Sequence, residues 1–366
     1  MYIVIKLNRK FYMIIDLIIL FNCFNFSNSW RKRNDNEGSF IKNSIKNKKN
    51  NYHYKQNRYL NGEDKSEEDF IQINIFFDLY NFNYTFPNDT LGEDSKDIIL
   101  QAIYKAKSLI EDTFKIQTYV TQFKFNTNDL QEWVEYWDEN IEGLYETNIY
   151  NFFIFFKFSS TIKNDASSKI VLEYDCPCVG LITINENLDH SKLEINYLKT
   201  LMVHEFIHLL GFHITNDEHE SIIGEEEDEE KVHYFLSESN GNLNVMAYAK
   251  EYFNCTEIDK IELELNEDGD IHWPSRFFLG DIMIEFIYPE EQVISGFTMA
   301  FMEDLDYIFI KNKYIGGLMK FGKAKGCDFL FKSCSQEVNS ITFSNEFYLP
   351  VNPMDISDNF EPSCSS

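Results

Sequence analysis

Residues 204–213 read HEFIHLLGFH. His204 and His208 stand four positions apart, and four residues of an α-helix turn through about 400°. Both imidazoles then leave one face, one turn apart, where they can reach a single zinc ion at roughly 2.0–2.1 Å. Glu205 sits about 100° round from His204. Its carboxylate can reach a water on the metal without being a ligand. Zinc lowers the pKa of such a water to about 7. Glu205 can take that proton and later hand it to a leaving amine, while the ion or a nearby donor stabilises the oxyanion. The alternative is that these are two ordinary helix histidines. With 8 histidines in 366 residues, a chance His-Glu-x-x-His arises on the order of one time in a hundred.

Such a centre needs a third protein ligand, and the spacing leaves several candidates. His213 follows Gly211 but comes five residues after His208. The common extended zinc motif places its last histidine at six, where this chain has Ile214. His213 is then either a ligand in a distorted site or a helix-terminal residue facing the last carbonyls. Further along are His219, His233 and His272, and a downstream glutamate is another option. His219 and His233 flank an acidic run and are expected to be solvated.

The elements around the motif follow from hydrophobic pattern. Glu194 to Leu210 is apolar at helical spacing, and Gly211 suits a helix stop because glycine reaches positive φ without steric cost. VGLITINE, from Val179, reads as a strand just before that helix. NFFIFFKF, KIVLEY, TYVTQFKF and IQINIFFDLYNF also have strand composition. SKDIILQAIYKAKSLIEDTF has helical spacing with Ser95 as its expected N-cap. Strands alternating with helices predict a sheet with helices against it. GEEEDEEK, from Gly224, is expected to be an exposed loop.

The formal charge is −27 and is uneven: residues 1–60 carry +9, the remainder −36. A body so acidic argues against nucleic acid or an anionic membrane surface as partner. Lys6, Arg9 and Lys10 precede the apolar run FYMIIDLIILFNCF, and Ser27 and Ser29 suit a signal-peptidase site. Residues 1–29 are therefore expected to be a signal peptide, or else an uncleaved anchor, and residues 30–68 a basic, Asn-rich linker or pro-segment. Export agrees with six cysteines outside the leader (Cys176, Cys178, Cys255, Cys327, Cys334 and Cys364), an even number that suggests disulfides. Three glycosylation acceptors, at Asn83, Asn88 and Asn254, point the same way.

His204, Glu205, His208, Gly211 and Phe212 resemble the leishmanolysin family of metzincin zinc metallopeptidases. In that family an insertion delays the third histidine, which appears in a His-Trp segment followed by an arginine and the Met-turn methionine. Here His272-Trp273 stands 64 residues after His208, Arg276 follows, and Met283 comes eleven after His272. SGFTMAFMEDLDY, GCDFLFKSC and YDCPCVGLITIN resemble further family segments, in the right order. No cysteine occurs between Cys23 and Cys176, so the family's pro-region cysteine has no counterpart.

The resemblance implies an α+β, metzincin-like fold. An N-terminal mixed twisted sheet with the active-site helix would span 69–213, and a C-terminal lobe closing the cleft 214–366. It implies one zinc ion held by His204, His208 and His272, with Glu205 as general base and Met283 as a hydrophobic floor. Protein or peptide substrates would lie against an edge strand. The expected protein is a monomeric zinc endopeptidase, secreted or at the cell surface, touching membrane only through its N-terminal segment. The competing class is a catalytically silent adhesion or binding protein.

Overall fold

A computed structural model describes residues 67–117, 151–173, 177–213, 222–227, 232–266, 269–287, 292–312 and 317–331. The leader, most of the basic segment, TYVTQFKF and His219 lie outside them, as do Cys176, Cys334 and Cys364.

IQINIFFDLYNF, expected as one strand, is divided. Phe70–Gln72 (β1) and Ile75–Asp78 (β2) belong to different sheets, and Tyr80 opens a helical segment. The break has a specific cause. Asn151 Oδ1 accepts the Asn74 N–H at 2.8 Å, and Asn151 Nδ2 donates to the Gln72 carbonyl at 2.9 Å. A side chain thus takes the backbone groups that a continuous ladder would have used.

Helix α1 (Glu93–Thr113) buries Ile99, Ala102, Ile103, Ala106 and Ile110, a three-and-four spacing that lines one face. Ser95 is not its N-cap. The helix starts two residues earlier, after Gly92, and Ser95 Oγ donates to the Leu91 carbonyl at 2.7 Å. Glu93 and Asp94 occupy the first turn, where their charge favours the helix dipole.

β3 (Phe114–Gln117) follows α1. β4 (Phe152–Ser159) buries Phe152 through Phe156 without a break, as a strand covered on both faces must. β5 (Ala166–Glu173) and β6 (Pro177–Asn185) complete a sheet of order β2-β4-β6-β5. The first three run parallel, and β5 is antiparallel to β6 at the rim. Helix α2 (Ile195–Leu209) packs along α1 and over β5 and β6. Gly180 of β6 permits that approach, since a Cβ there would lie 2.5 Å from the Leu209 side chain.

A second sheet is the antiparallel meander β7 (Gly224–Glu227), β8 (Val232–Ser237), β9 (Lys260–Leu265) and β10 (Ile271–His272). The acidic run is therefore a strand at its start rather than a loop. Backbone pairing with β8 holds it, with Glu225 and Glu226 outward and Lys260 Nζ 2.8 Å from Glu226. Helix α3 (Leu243–Phe253) lies between β8 and β9 in the chain. After β10 come α4 (Gly296–Asp304), β11 (Ile308–Ile310) and α5 (Cys327–Phe331). β11 pairs with β3, which also pairs with β1, making a third sheet from distant parts of the chain. Cys255, just past α3, is bonded to Cys327 at the start of α5. Among the described residues no helix is long and apolar enough to cross a membrane.

Candidate metal centre

Helix α2 is hydrophobic almost all round: every residue from Thr200 to Leu209 is buried. His204, Glu205 and His208 are each only 4% exposed, so its motif faces the interior. Beyond Leu210 the chain turns sharply. Gly211 takes φ 126°, Gly211 N donates to the His208 carbonyl at 3.0 Å, and Phe212 N to the Ile207 carbonyl at 3.2 Å. The Phe212 ring is anchored against Phe301, 4.6 Å away, and Trp273, 5.2 Å away.

β10 delivers His272, 3% exposed, to the same place. The three Nε2 atoms form a near-equilateral triangle: 3.0 Å for His204–His208, 3.3 Å for His208–His272 and 3.2 Å for His272–His204. A tetrahedral zinc with nitrogens at about 2.0–2.1 Å requires ligand separations of about 3.3–3.4 Å, so the triangle is of the right size, slightly contracted on the His204–His208 side. Two of the outward ring nitrogens meet carbonyl oxygens, which only accept. His204 Nδ1–H donates to Ile282 at 2.7 Å, and His208 Nδ1–H to Phe212 at 2.6 Å. Those contacts place the protons on Nδ1 and leave Nε2 lone pairs pointing inward. Lone pairs converging at 3 Å repel one another unless a cation lies among them, so the donor set fits a metal ion. These three are the histidines, cysteines and acidic residues that could hold one among the described residues.

Burial reinforces this state. It pulls His204 down to about 3, helped by His208 and opposed by the Ile282 carbonyl. It pulls His208 to about 4, against the Phe212 carbonyl, and moves His272 down as well, with His208 and His204 adding to the effect. All three rings are neutral, ligand-ready imidazoles at neutral pH.

His213 is not in the cluster. It lies past the turn, half-buried, with burial pulling it down to about 4. His233 is on β8 and partly buried rather than solvated. Met283 is fully buried, and its carbonyl accepts the Trp273 N–H at 2.8 Å. Arg276 packs its guanidinium over the Phe277 ring at 4.8 Å.

The histidines and Glu205 line a cavity of about 370 Å³. One wall is the segment Lys163–Ala166 leading into β5; others carry Asn266, Asp270, Glu285, Phe286 and Ile287. Asn185 clamps the first wall: its Nδ2 donates to the carbonyls of Ile162 and Asn164, at 3.1 and 3.0 Å. Asp165 Oδ2 accepts from Lys192 Nζ at 2.6 Å and from the Tyr197 hydroxyl. Burial pushes the Tyr197 phenol up, and Asp165 adds to it. This cluster was not singled out in the sequence. The available signal was Tyr197, seven residues before His204 and therefore on the same face of α2.

A family profile described as Leishmanolysin matches residues 85–348, which include all the residues of this centre. Two proteins described as "Leishmanolysin-like peptidase", from Caenorhabditis elegans and Caenorhabditis briggsae, are 30% identical to the chain over 95 residues. That stretch is 25% of this chain and 14% of each relative, so the chain covers a small part of their length. With the profile spanning more than two thirds of the sequence and a histidine triad at its centre, the chain belongs to the leishmanolysin family of metallopeptidases.

Proposed function

We propose that this protein is a zinc metalloendopeptidase, with His204, His208 and His272 as ligands and Glu205 as general base. The observation that carries the reading is the triangle of Nε2 atoms with Glu205 in the same cavity. A zinc ion held there would supply a Lewis acid that polarises a peptide carbonyl and acidifies water. Glu205 takes the proton of the attacking water and delivers it to the departing amine nitrogen. The Ile282 and Phe212 carbonyls keep two of the rings in the ligating tautomer. Met283 serves as the apolar floor of the centre. The outer edge of β5, which has no strand partner on that side among the described residues, offers backbone groups to an extended substrate. Ala166, at its start, lines the cavity.

On this reading the fold is metzincin-like, with residues 69–213 as N-terminal subdomain and 214–366 as C-terminal lobe. Residues 1–29 direct export, so the enzyme acts outside the cell or at its surface, on proteins or peptides. The test is cleavage of a denatured protein by the full chain with zinc, beside Glu205→Gln and a chelator control. Cleavage by the parent, abolished in both controls, supports the proposal. Zinc bound by a folded parent that cleaves nothing would move the assignment to a binding protein.

A further inference from the structure

Asp281 is fully buried and does not line the cavity. An ionised carboxylate is costly to bury unless its oxygens are hydrogen-bonded, and donors from Met283, Thr298 and Ser295 reach this one. Oδ1 accepts the Met283 N–H at 2.6 Å, and the Thr298 hydroxyl lies 2.8 Å from each oxygen. Oδ2 also accepts from the Ser295 hydroxyl.

The Met283 and Thr298 bonds lead back to the histidines, while Ser295 ties the carboxylate to the start of α4. The contact from Asp281 to Met283 N closes a tight side-chain turn over residues 281–283. That turn fixes the direction of the Ile282 carbonyl between them, which receives the His204 Nδ1–H at 2.7 Å. It also fixes the Met283 carbonyl, which receives the N–H of Trp273, the residue after His272, at 2.8 Å. Thr298 holds the same tryptophan from the other side, accepting its indole N–H at 2.9 Å while giving its own proton to Asp281. One carboxylate therefore governs the orientation of His204 and the strand end that presents His272.

We propose that Asp281 is a positioning residue for the metal centre, holding two of the three histidines in ligating geometry without touching metal or substrate. The inference rests on the metal-centre reading above. Asp304 supplies a matched control. It too is a buried carboxylate with several donors, but its bonds go to the start of α3, to Asn244 and Val245.

The experiment is zinc affinity of the full chain, by competition with a chelating dye, for the parent, Asp281→Asn, Asp281→Ala and Asp304→Ala. Zinc-free melting temperatures are measured alongside. Asp281→Asn keeps the shape but turns one acceptor into a donor and removes the charge. It should bind zinc about tenfold more weakly or worse, the usual effect of losing an outer-shell partner, with Asp281→Ala weaker still. Asp304→Ala should melt lower yet keep the parent's zinc affinity. Parent-like affinity in Asp281→Asn overturns the proposal. So does an equal fall in Asp304→Ala, which would make the effect one of general stability. Should Asp281→Ala not fold, Asp281→Asn decides alone. A parent that binds no zinc overturns the metal-centre reading itself, and this inference with it.

Discussion

The Tyr307 hydroxyl donates to the carbonyl of Leu210 at 3.0 Å, closing the C-terminal end of the helix that carries His204 and His208. The same hydroxyl occupies the space over Gly211, where a Cβ would sit 2.2 Å from it. Gly211→Ala therefore meets both a clash and a positive φ, and should cost roughly 1–3 kcal/mol of stability. Tyr307→Phe should cost about 1 kcal/mol through the lost hydrogen bond. Because one hydroxyl is involved in both, the double variant should lose less than the sum in denaturant unfolding.

On the proposed function the two candidate third histidines should separate by zinc content. His272→Ala removes one corner of the triangle and should weaken zinc binding by more than about 100-fold, beyond the loss of an outer-shell partner alone. His213→Ala should retain one zinc per chain. Metal analysis after dialysis against a weak chelator distinguishes them, and zinc lost from His213→Ala alone would reverse the assignment.

Asp165, Lys192 and Tyr197 hold the wall of the cavity beside β5. Asp165→Ala frees that wall without touching the histidines. On the proposed function it should raise KM for peptide substrates several-fold while changing kcat less, a pattern expected when binding contacts common to ground and transition states are lost.

The disulfide Cys255–Cys327 closes a loop with a sequence separation of 72. Replacing both cysteines by serine should cost about 2–4 kcal/mol, read as a lower denaturation midpoint. An unchanged midpoint would show that packing of Phe329 against Phe253, with ring centroids 5.9 Å apart, already restricts this end of the chain.

Asp304 gives a pH signature. Burial raises its carboxyl from 3.8 to about 6, although the N–H groups of Val245 and Asn244 pull the other way. The folded value lies above the unfolded one, so between them the folded chain keeps a proton that the unfolded chain releases. The associated stability is complete below pH 3.8 and is lost as pH rises through about 6. Asp304→Asn cannot ionise. The stability of the parent relative to this variant should fall between those values and level off above them, as followed by urea unfolding at a series of pH values.

What the sequence made legible was the part fixed by local pattern. Helix α2 runs within one residue of the limits read from its apolar spacing, and β4 and β6 coincide closely with NFFIFFKF and VGLITINE. Spacing alone left the third ligand open; the His-Trp segment pointed to His272 only through family resemblance. The misses share one cause, which is long-range contact. Asn151 divides IQINIFFDLYNF from 77 residues away. Pairing with β8 turns GEEE into a strand. The carbonyls of Ile282 and Phe212 orient two histidines, and a carbonyl belongs to every residue, so no residue type announces it.

β3 lies between β1 and β11, and its two neighbours come from opposite ends of the described chain. During synthesis this has a consequence in time. β1, β3 and α2 leave the ribosome long before β11 exists, so one edge of β3 stays open while the intervening residues are made. An unpaired edge of this kind is where nascent chains associate wrongly. His272 and the Ile282 carbonyl also emerge after α2, so the nascent helix carries two imidazoles that cannot yet close a triangle. The three-nitrogen cluster is thereby incomplete until β10 has been made.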